Sequence, residues 1–168
     1  MNNVRKMVLS SLFASLCGIC SWICVPIPPL YITLQTLALL LTLGTLGGKW
    51  GSISIGLYLL LGIIGLPVFA GFRGGAGALL DATGGFLWGF FLAGIAYWIL
   101  ERLGKLPAMI GAMGVCYLCG CLWFQVYAGH MGLGNAFLVC VVPYLLPDGI
   151  KLWIAYRISN RLCKHISK

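Results

Sequence analysis

The chain has 168 residues, of which 61% are hydrophobic and only 8% charged, and it carries a formal net charge of +8. A soluble domain has about 25% charged residues, so these charges are too few to cover a water-exposed surface, and lipid is the expected solvent. The basic residues lie between apolar runs and form no continuous solvated face, which excludes nucleic acid as a partner. The apolar runs also leave no room for a separate soluble catalytic domain.

The first apolar run, Met7–Val25, follows Arg5 and Lys6 and has some features of a signal peptide. It lacks a clean small-x-small cleavage site followed by a polar region, so we predict a first membrane helix.

Small residues repeat along this first helix at a spacing of four: Ser10, Ala14 and Gly18. Such a stripe lets another helix approach closely. The approaching helix can belong to the same chain, or the stripe can be a docking face for a partner subunit.

Six apolar runs divide the chain: Met7–Val25, Leu34–Gly48, Gly51–Leu66, Phe86–Leu100, Pro107–Ala128 and an interrupted run from Ala136 to about Ser159. They predict an all-α, polytopic membrane protein with six transmembrane helices in one compact domain, residues 1–168. With the N-terminus inside, nine of the 11 Lys and Arg residues lie on the inner side and only Arg73 lies outside. The positive-inside rule therefore predicts a cell-membrane protein with both termini in the cytoplasm.

Eight cysteines raise the question of a metal site or disulfides, because Cys17 and Cys20 form a CxxC, as do Cys116 and Cys119. Both pairs lie inside apolar runs with no histidine nearby. Buried cysteine behaves as a small apolar residue, so we predict neither a metal nor a cofactor.

A glycine-rich loop spans Pro67–Gly85, and Arg73 and Asp81 are its charged residues. Glycine lets the backbone approach a ligand closely, so the loop is a candidate ligand-binding segment, although a flexible connector is an equal alternative. It contains no nucleotide-binding motif of the GxxxxGK[ST] or GxGxxG type.

Polar groups open the second helix at Gln35 and Thr36, where side chains facing lipid would lack hydrogen-bond partners. We expect them to face a pocket. Aromatic residues elsewhere are candidates either for pocket walls or for anchors at the membrane interface: Tyr31, Phe69, Tyr144 and Trp153.

The stretch VVPYLLPDGIKLW places Asp148 three residues before Lys151 within an otherwise apolar segment. We predict a break there, with the final helix starting near Pro147 and Asp148 in its first turn. The acid and base can simply neutralise each other, or they can line an outward-facing pocket for a small polar ligand, as broken helices often do in transporters.

Two other classes of protein remain as alternatives. A membrane enzyme is disfavoured. The two histidines, His130 and His165, lie in a loop and in the basic tail, and neither belongs to a Ser-His-Asp triad or a metal-ligand set. A non-transport membrane assembly protein would bind no ligand that changes its thermal stability.

Four segments together resemble the BioY family, the biotin-binding S-components of energy-coupling-factor (ECF) transporters: LQT early in the second helix, GLYLLLGIIGLPVFAG, TGGF, and VPYLLPDGIKL. The resemblance covers the chain from about Thr33 to Lys151. It implies six membrane helices and a pocket that binds biotin from outside. It also implies import with a transmembrane coupling subunit and two ABC ATPases, the chain itself being no enzyme. An S-component for another small vitamin is the alternative within this class.

The resemblance also implies roles for particular residues. The stripe Ser10, Ala14 and Gly18 would dock on the coupling subunit. The candidate ligand-binding residues are Gln35, Phe69, Arg73, Gly74, Gly75, Asp81, Thr83, Tyr144, Asp148 and Lys151. The loop departs from the family's Gly-Pro-Thr-Gly-Gly at Asp81 and Ala82, so Arg73 can either pair with Asp81 or meet the carboxylate of biotin.

Overall fold

A computed structural model of the chain describes residues 3–27, 30–129 and 132–166. Its elements in chain order are α1 (Asn3–Trp22), β1 (Cys24–Ile27), β2 (Leu30–Thr33), α2 (Gln35–Ile63), α3 (Gly84–Leu100), α4 (Lys105–Tyr127), α5 (Leu133–Cys140) and α6 (Val142–Ile166). Short 3₁₀ turns, Ala76–Leu79 and Glu101–Leu103, flank α3. Predictions made for residues 28–29, His130 and Lys168 fall outside the described residues.

α2 consists of two antiparallel segments that reverse direction at Gly47. Gly47 has φ 77° and ψ 176°, a left-handed conformation that glycine adopts readily. The side chains of Gln35 and Tyr58 form a hydrogen bond although 23 residues separate them, which along one straight helix would be roughly 35 Å. The predicted boundary between the second and third membrane segments is therefore confirmed, with segments 35–46 and 48–63 on its two sides.

Contacts with α3 fix the start of segment 48–63. A Cβ on Gly48 would lie 2.3 Å from the Cα of Trp98, so only glycine permits this approach. Glu101 Oε2 accepts a hydrogen bond from Gly48 N at 2.7 Å. The carboxylate thereby satisfies a backbone N–H that the helix leaves free, and it lies at the positive end of the helix dipole.

The helices have the length and apolar surface of a multi-pass membrane protein. By length and apolar composition, α1, α3 and α4 can each cross a bilayer, and α5 with α6 forms a further span with a 44° bend. Because α2 folds back on itself, the described residues contain the six predicted segments. Large apolar side chains are exposed on the outside, as lipid-facing surfaces require, among them Leu12, Ile99 and Leu146. The predicted fold class is confirmed.

The last helix starts five residues earlier than predicted, at Val142 instead of near Pro147. α5 ends at Cys140, and Val141 O accepts hydrogen bonds from the backbone N–H of Tyr144 and Leu145, which starts α6 at Val142. Pro143 lies in the first turn, where a missing N–H has no consequence, so the helix begins there and Pro147 stays inside it. The prediction that α6 starts near Pro147, with Asp148 in its first turn, is wrong.

An antiparallel hairpin of β1 and β2, which the sequence analysis did not predict, connects α1 to α2. Leu30 in β2 is 4% exposed, and Tyr31 and Thr33 line the cavity described below. The β-branched residues Val25, Ile27, Ile32 and Thr33 favour this extended conformation. The hairpin and the loop 64–83 lie at the same end of the helices, because Trp22 at the end of α1 stacks on Phe72 with ring centroids 5.2 Å apart.

The cysteines act as small apolar side chains. All eight are free thiols, and Cys17 and Cys116 lie in the hydrophobic core. In the described ranges, no three His, Cys, Asp or Glu residues lie close enough together to hold a metal ion.

Candidate ligand-binding site

A cavity lies among the hairpin, the loop 64–83 and helices α2, α3, α4 and α6. It contains about 860 Å³ of space between protein atoms, part of which is continuous with the exterior. Most of the wall is apolar, formed by Leu30, Leu39, Leu40, Phe69, Ala78, Phe86, Leu87, Phe90 and Met113.

Seven of the ten predicted ligand-binding residues line this cavity: Gln35, Phe69, Arg73, Thr83, Tyr144, Asp148 and Lys151. Gly74, Gly75 and Asp81 do not line it. Trp153 is 59% exposed and also lies outside the cavity, so the suggestion that it forms a wall is wrong.

The two glycines shape the loop instead of contacting the cavity. A Cβ on Gly74 would lie 2.3 Å from Leu66 O, so this position needs glycine for a close backbone approach. Gly75 has φ 88°, and its N–H bonds to Gly62 O at 2.7 Å. Both glycines thus hold the loop on the end of α2.

Asp148 and Lys151 form an ion pair with side chains only 4% and 9% exposed. Lys151 Nζ donates to Asp148 Oδ1 at 2.6 Å, to Thr33 O at 2.7 Å and to Thr36 Oγ1 at 3.1 Å. Thr36 Oγ1 in turn donates to Asp148 Oδ1 at 2.9 Å, and the Tyr117 hydroxyl donates to Asp148 Oδ2 at 2.6 Å. The pair therefore neutralises itself and lines the cavity as well.

The hydrogen bonds of this pair limit what it can offer a ligand. An ammonium group has three N–H donors, and Lys151 uses all three on protein acceptors. A carboxylate has about four acceptor positions, of which Asp148 uses three, two on Oδ1 and one on Oδ2. Asp148 Oδ2 can thus accept a ligand N–H directly, whereas a ligand carbonyl must replace one of the acceptors of Lys151.

Tyr117 is a cavity residue that the sequence analysis missed. It lies on the face of α4 that also carries Met113 and Cys116 in the cavity wall and the buried Gly120 and Phe124. Residues at this spacing share one helical face, and among those named Tyr117 carries the hydroxyl group. The signal was present, but a single tyrosine in an apolar helix is usually an interfacial anchor.

A second ion pair, between Arg73 and Asp81, is more exposed, with side chains 32% and 36% accessible. Arg73 Nη2 also donates to Thr83 Oγ1 at 2.9 Å, and its guanidinium lies 5.6 Å from the ring centre of Tyr31. The pKa of Asp81 is lowered, chiefly by the hydrogen bond from the Ala82 backbone N–H. Of the two alternatives for Arg73, the pairing with Asp81 is present.

Phe69 and Gln35 are held in the cavity wall by Tyr58. The rings of Phe69 and Tyr58 meet edge to face at 5.7 Å. Gln35 donates to the Tyr58 hydroxyl, which donates to Val68 O at 3.1 Å. A Cβ on Gly62 would lie 2.0 Å from the Phe69 ring, so glycine makes room for this ring.

The predicted docking stripe on α1 packs inside the protein. Ser10 and Ala14 are 2% and 1% exposed, and Gly18 is buried against Val68. Ser54 Oγ donates to Ser10 O at 2.7 Å, which ties the stripe to α2. The prediction that these three residues face a partner is therefore wrong, because they mediate the contact between α1 and α2.

A multi-pass helical protein that encloses a largely apolar cavity, with a buried ion pair in its wall, belongs to the class of membrane-embedded small-molecule-binding proteins. The BioY family model matches residues 1–168, and the chain belongs to the BioY family.

Comparison with individual proteins agrees with this assignment. The chain is 34% identical to a biotin transporter BioY of Thermotoga maritima, over 96% of this chain and 97% of that protein. It is 37% identical to a probable biotin transporter BioY of Pyrococcus horikoshii, over 94% and 96% of the two chains. A solved structure of the S-component for biotin from an ECF-type ABC transporter superposes with a TM-score of 0.89, at 26% identity, over 98% of this chain and 95% of that one. These relatives are transporters and not enzymes.

Proposed function

We propose that this chain is the biotin-binding S-component of an ECF-type importer. Residues 1–168 form one substrate-binding domain that takes up biotin with high affinity from the outer face. A transmembrane coupling subunit and two ABC ATPases then drive its delivery to the cytoplasm. The observation that carries the proposal is the cavity with Asp148 and Lys151 in its wall, in a chain of the BioY family.

We place both termini in the cytoplasm and the cavity mouth outside. Among the described residues, the basic residues at the helix ends that carry the hairpin and the loop 64–83 are Arg73 and the ion-paired Lys151. At the opposite ends lie Gly48, bonded to Glu101, and Cys163, which contacts Lys105 Nζ at 3.5 Å. Most Lys and Arg residues accompany those opposite ends, and the positive-inside rule then makes them cytoplasmic.

Biotin has a neutral ureido ring, an apolar thioether ring and a carboxylate tail, and each part matches a part of the cavity. A ureido N–H donates to Asp148 Oδ2, and the ureido oxygen accepts the hydrogen bond that Lys151 Nζ donates to Thr36 Oγ1 in the structure. The aromatic wall, with Phe69 and Phe86, packs on the thioether ring. The tail then points toward Arg73, the most exposed charged group of the wall.

The coupling subunit docks on the exposed face of α1. On that face the small residues at four-residue spacing are Ser11 and Ser15, one position away from the buried stripe. Their hydroxyls donate to Met7 O at 3.2 Å and to Ser11 O at 3.0 Å, so they are turned back onto the helix and leave a smooth surface. A helix of the partner can approach closely there.

Enlarging one of these serines tests the docking face. Ser15→Trp is expected to prevent co-purification of the chain with the coupling subunit and the ATPases while biotin binding persists. Ser15→Ala, which keeps the residue small, is the control and is expected to co-purify normally. Normal co-purification of Ser15→Trp would place the docking face elsewhere.

Native mass spectrometry of the detergent-purified chain, followed by calorimetric titration with biotin, tests the ligand. We expect biotin to co-purify and the Asp148→Asn variant to bind it at least about 2 kcal/mol more weakly, roughly 30-fold, because a charge-assisted hydrogen bond is lost. Co-purification of a different vitamin, without competition by biotin, would favour an S-component of other specificity. Stability unchanged by any vitamin would favour an assembly protein.

A further inference from the structure

Asp81 lies behind the cavity wall, in contact with a residue that forms part of the wall. Its Oδ2 pairs with Arg73 Nη1, and Arg73 lines the cavity while Asp81 does not. Asp81 therefore reaches a ligand through Arg73, and its charge acts at short range on whatever Arg73 binds.

Asp81 is held in place without help from Arg73. Its Oδ1 accepts the Ala82 backbone N–H at 2.7 Å and the Tyr127 hydroxyl at 3.1 Å. Trp123 Nε1 donates to the Asp81 backbone oxygen at 3.0 Å. The two bonds to Oδ1 favour the charged form, and the Trp123 bond holds the backbone, so the carboxylate stays in position as a fixed anion when Arg73 turns to another partner.

Arg73 is likewise held without help from Asp81. Its Nε donates to Ala70 O at 3.1 Å, its Nη2 to Thr83 Oγ1 at 2.9 Å, and its face covers the ring of Tyr31. A guanidinium has five N–H donors, and Arg73 uses three of them, one each on Ala70 O, Thr83 Oγ1 and the Asp81 carboxylate. Two N–H groups, one on each terminal nitrogen, are left for a carboxylate that enters the cavity.

We infer that Asp81 is a specificity-determining residue, which shares Arg73 with the carboxylate of the ligand and weakens the binding of carboxylates relative to neutral amides. Two carboxylates on one guanidinium lie a few ångströms apart and repel each other, and their partial exposure makes this repulsion moderate. The pocket consequently accepts biotin derivatives whose tail ends in an uncharged amide. This inference rests on the proposed function, that the ligand is biotin.

The test compares biotin with its carboxamide, titrated into the detergent-purified full chain at neutral pH. The wild type is expected to bind both compounds within about tenfold of each other. In Asp81→Asn, the affinity ratio of acid to amide is expected to rise about threefold to tenfold, because the repelling charge is gone while an acceptor for the Ala82 N–H remains. Asp81→Gly is a second variant with the same expected direction.

Two further variants are controls, one for the change in net charge and one for the role of Arg73 in binding the carboxylate. Glu101→Gln changes the net charge equally but lies at the opposite end of the helices, on Gly48 N, so its ratio is expected to stay within about twofold of wild type. Arg73→Gln is expected to lower the ratio.

The outcomes separate the inference from the proposed function. A ratio that is unchanged or lowered in both Asp81 variants, with amide binding intact, overturns the role of Asp81. A wild type that binds neither compound overturns the proposed function instead.

Discussion

The ion pair Asp148–Lys151 and the ion pair Arg73–Asp81 join similar groups but differ in burial. The first is almost fully enclosed, and each member depends on the other for its neutralisation. The second is about one-third exposed, and each member is held by separate bonds to the loop, to the hairpin or to α4. The comparison teaches that a buried pair is a fixed unit whose members cannot be removed singly, whereas an exposed pair can change partners at little cost.

Removing the cation from each pair gives the largest expected difference. Lys151→Met is expected to lower the free energy of unfolding by about 3–5 kcal/mol, because Asp148 would remain buried without a counter-charge. Arg73→Met is expected to cost under about 1 kcal/mol.

Chemical denaturation of both variants in the same detergent measures this difference in the free energy of unfolding. Equal losses in the two variants would break the comparison, since burial would then not distinguish the pairs. A single cooperative unfolding transition and an unchanged gel-filtration elution volume serve as the check that Arg73→Met retains its fold.

Two tyrosines, one bonded to the carboxylate of each ion pair, allow the same comparison with a smaller expected loss of stability. Tyr117 donates to the buried carboxylate of Asp148, and Tyr127, which is 53% exposed, donates to Asp81. Tyr117→Phe is expected to cost about 1.5–3 kcal/mol of stability, because water cannot readily replace a bond to a buried charge. Tyr127→Phe is expected to cost under about 0.5 kcal/mol. Thermal unfolding of both variants is the measurement, and a larger loss in Tyr127→Phe would contradict the assignment.

The pH dependence of the exposed pair is the smallest expected effect. The pKa of Asp81 lies below its ordinary value of 3.8, chiefly because of the Ala82 N–H, so the stability that the charged carboxylate contributes is fully present above that value. It is lost as the pH falls through the lower pKa of the folded protein. The difference in melting temperature between wild type and Asp81→Asn is therefore expected to stay constant at neutral and weakly acidic pH and to shrink only below 3.8. A change near neutral pH would show that another group titrates.

The sequence predicted the parts of the fold that depend on apolar length and on charge. The six segments, the reversal near Gly47 and the pocket position of Asp148 and Lys151 follow from the lengths of the apolar runs and from the high cost of charges in lipid. The start of α6 was misplaced because Pro143 and Pro147 are equally able to begin a helix. Only the hydrogen bonds at Val141 O distinguish them.

The faces of the helices could not be predicted in the same way. In a soluble helix, polar residues mark the outside, but lipid is as apolar as the protein core, so the inward face carries no such mark. The stripe that starts at Ser10 and the one that starts at Ser11 both place small residues four apart, although the first is buried and the second exposed. Tyr117 was missed because a single tyrosine in an apolar helix is usually an interfacial anchor.

A structure of the chain with bound biotin tests the central claim most directly, that the cavity beside Asp148 and Lys151 is the biotin site. We predict a ureido nitrogen within about 3.2 Å of the Asp148 carboxylate, with the thioether ring against Phe69. Biotin bound elsewhere, with the Asp148–Lys151 pair touching only protein or lipid, would contradict the account.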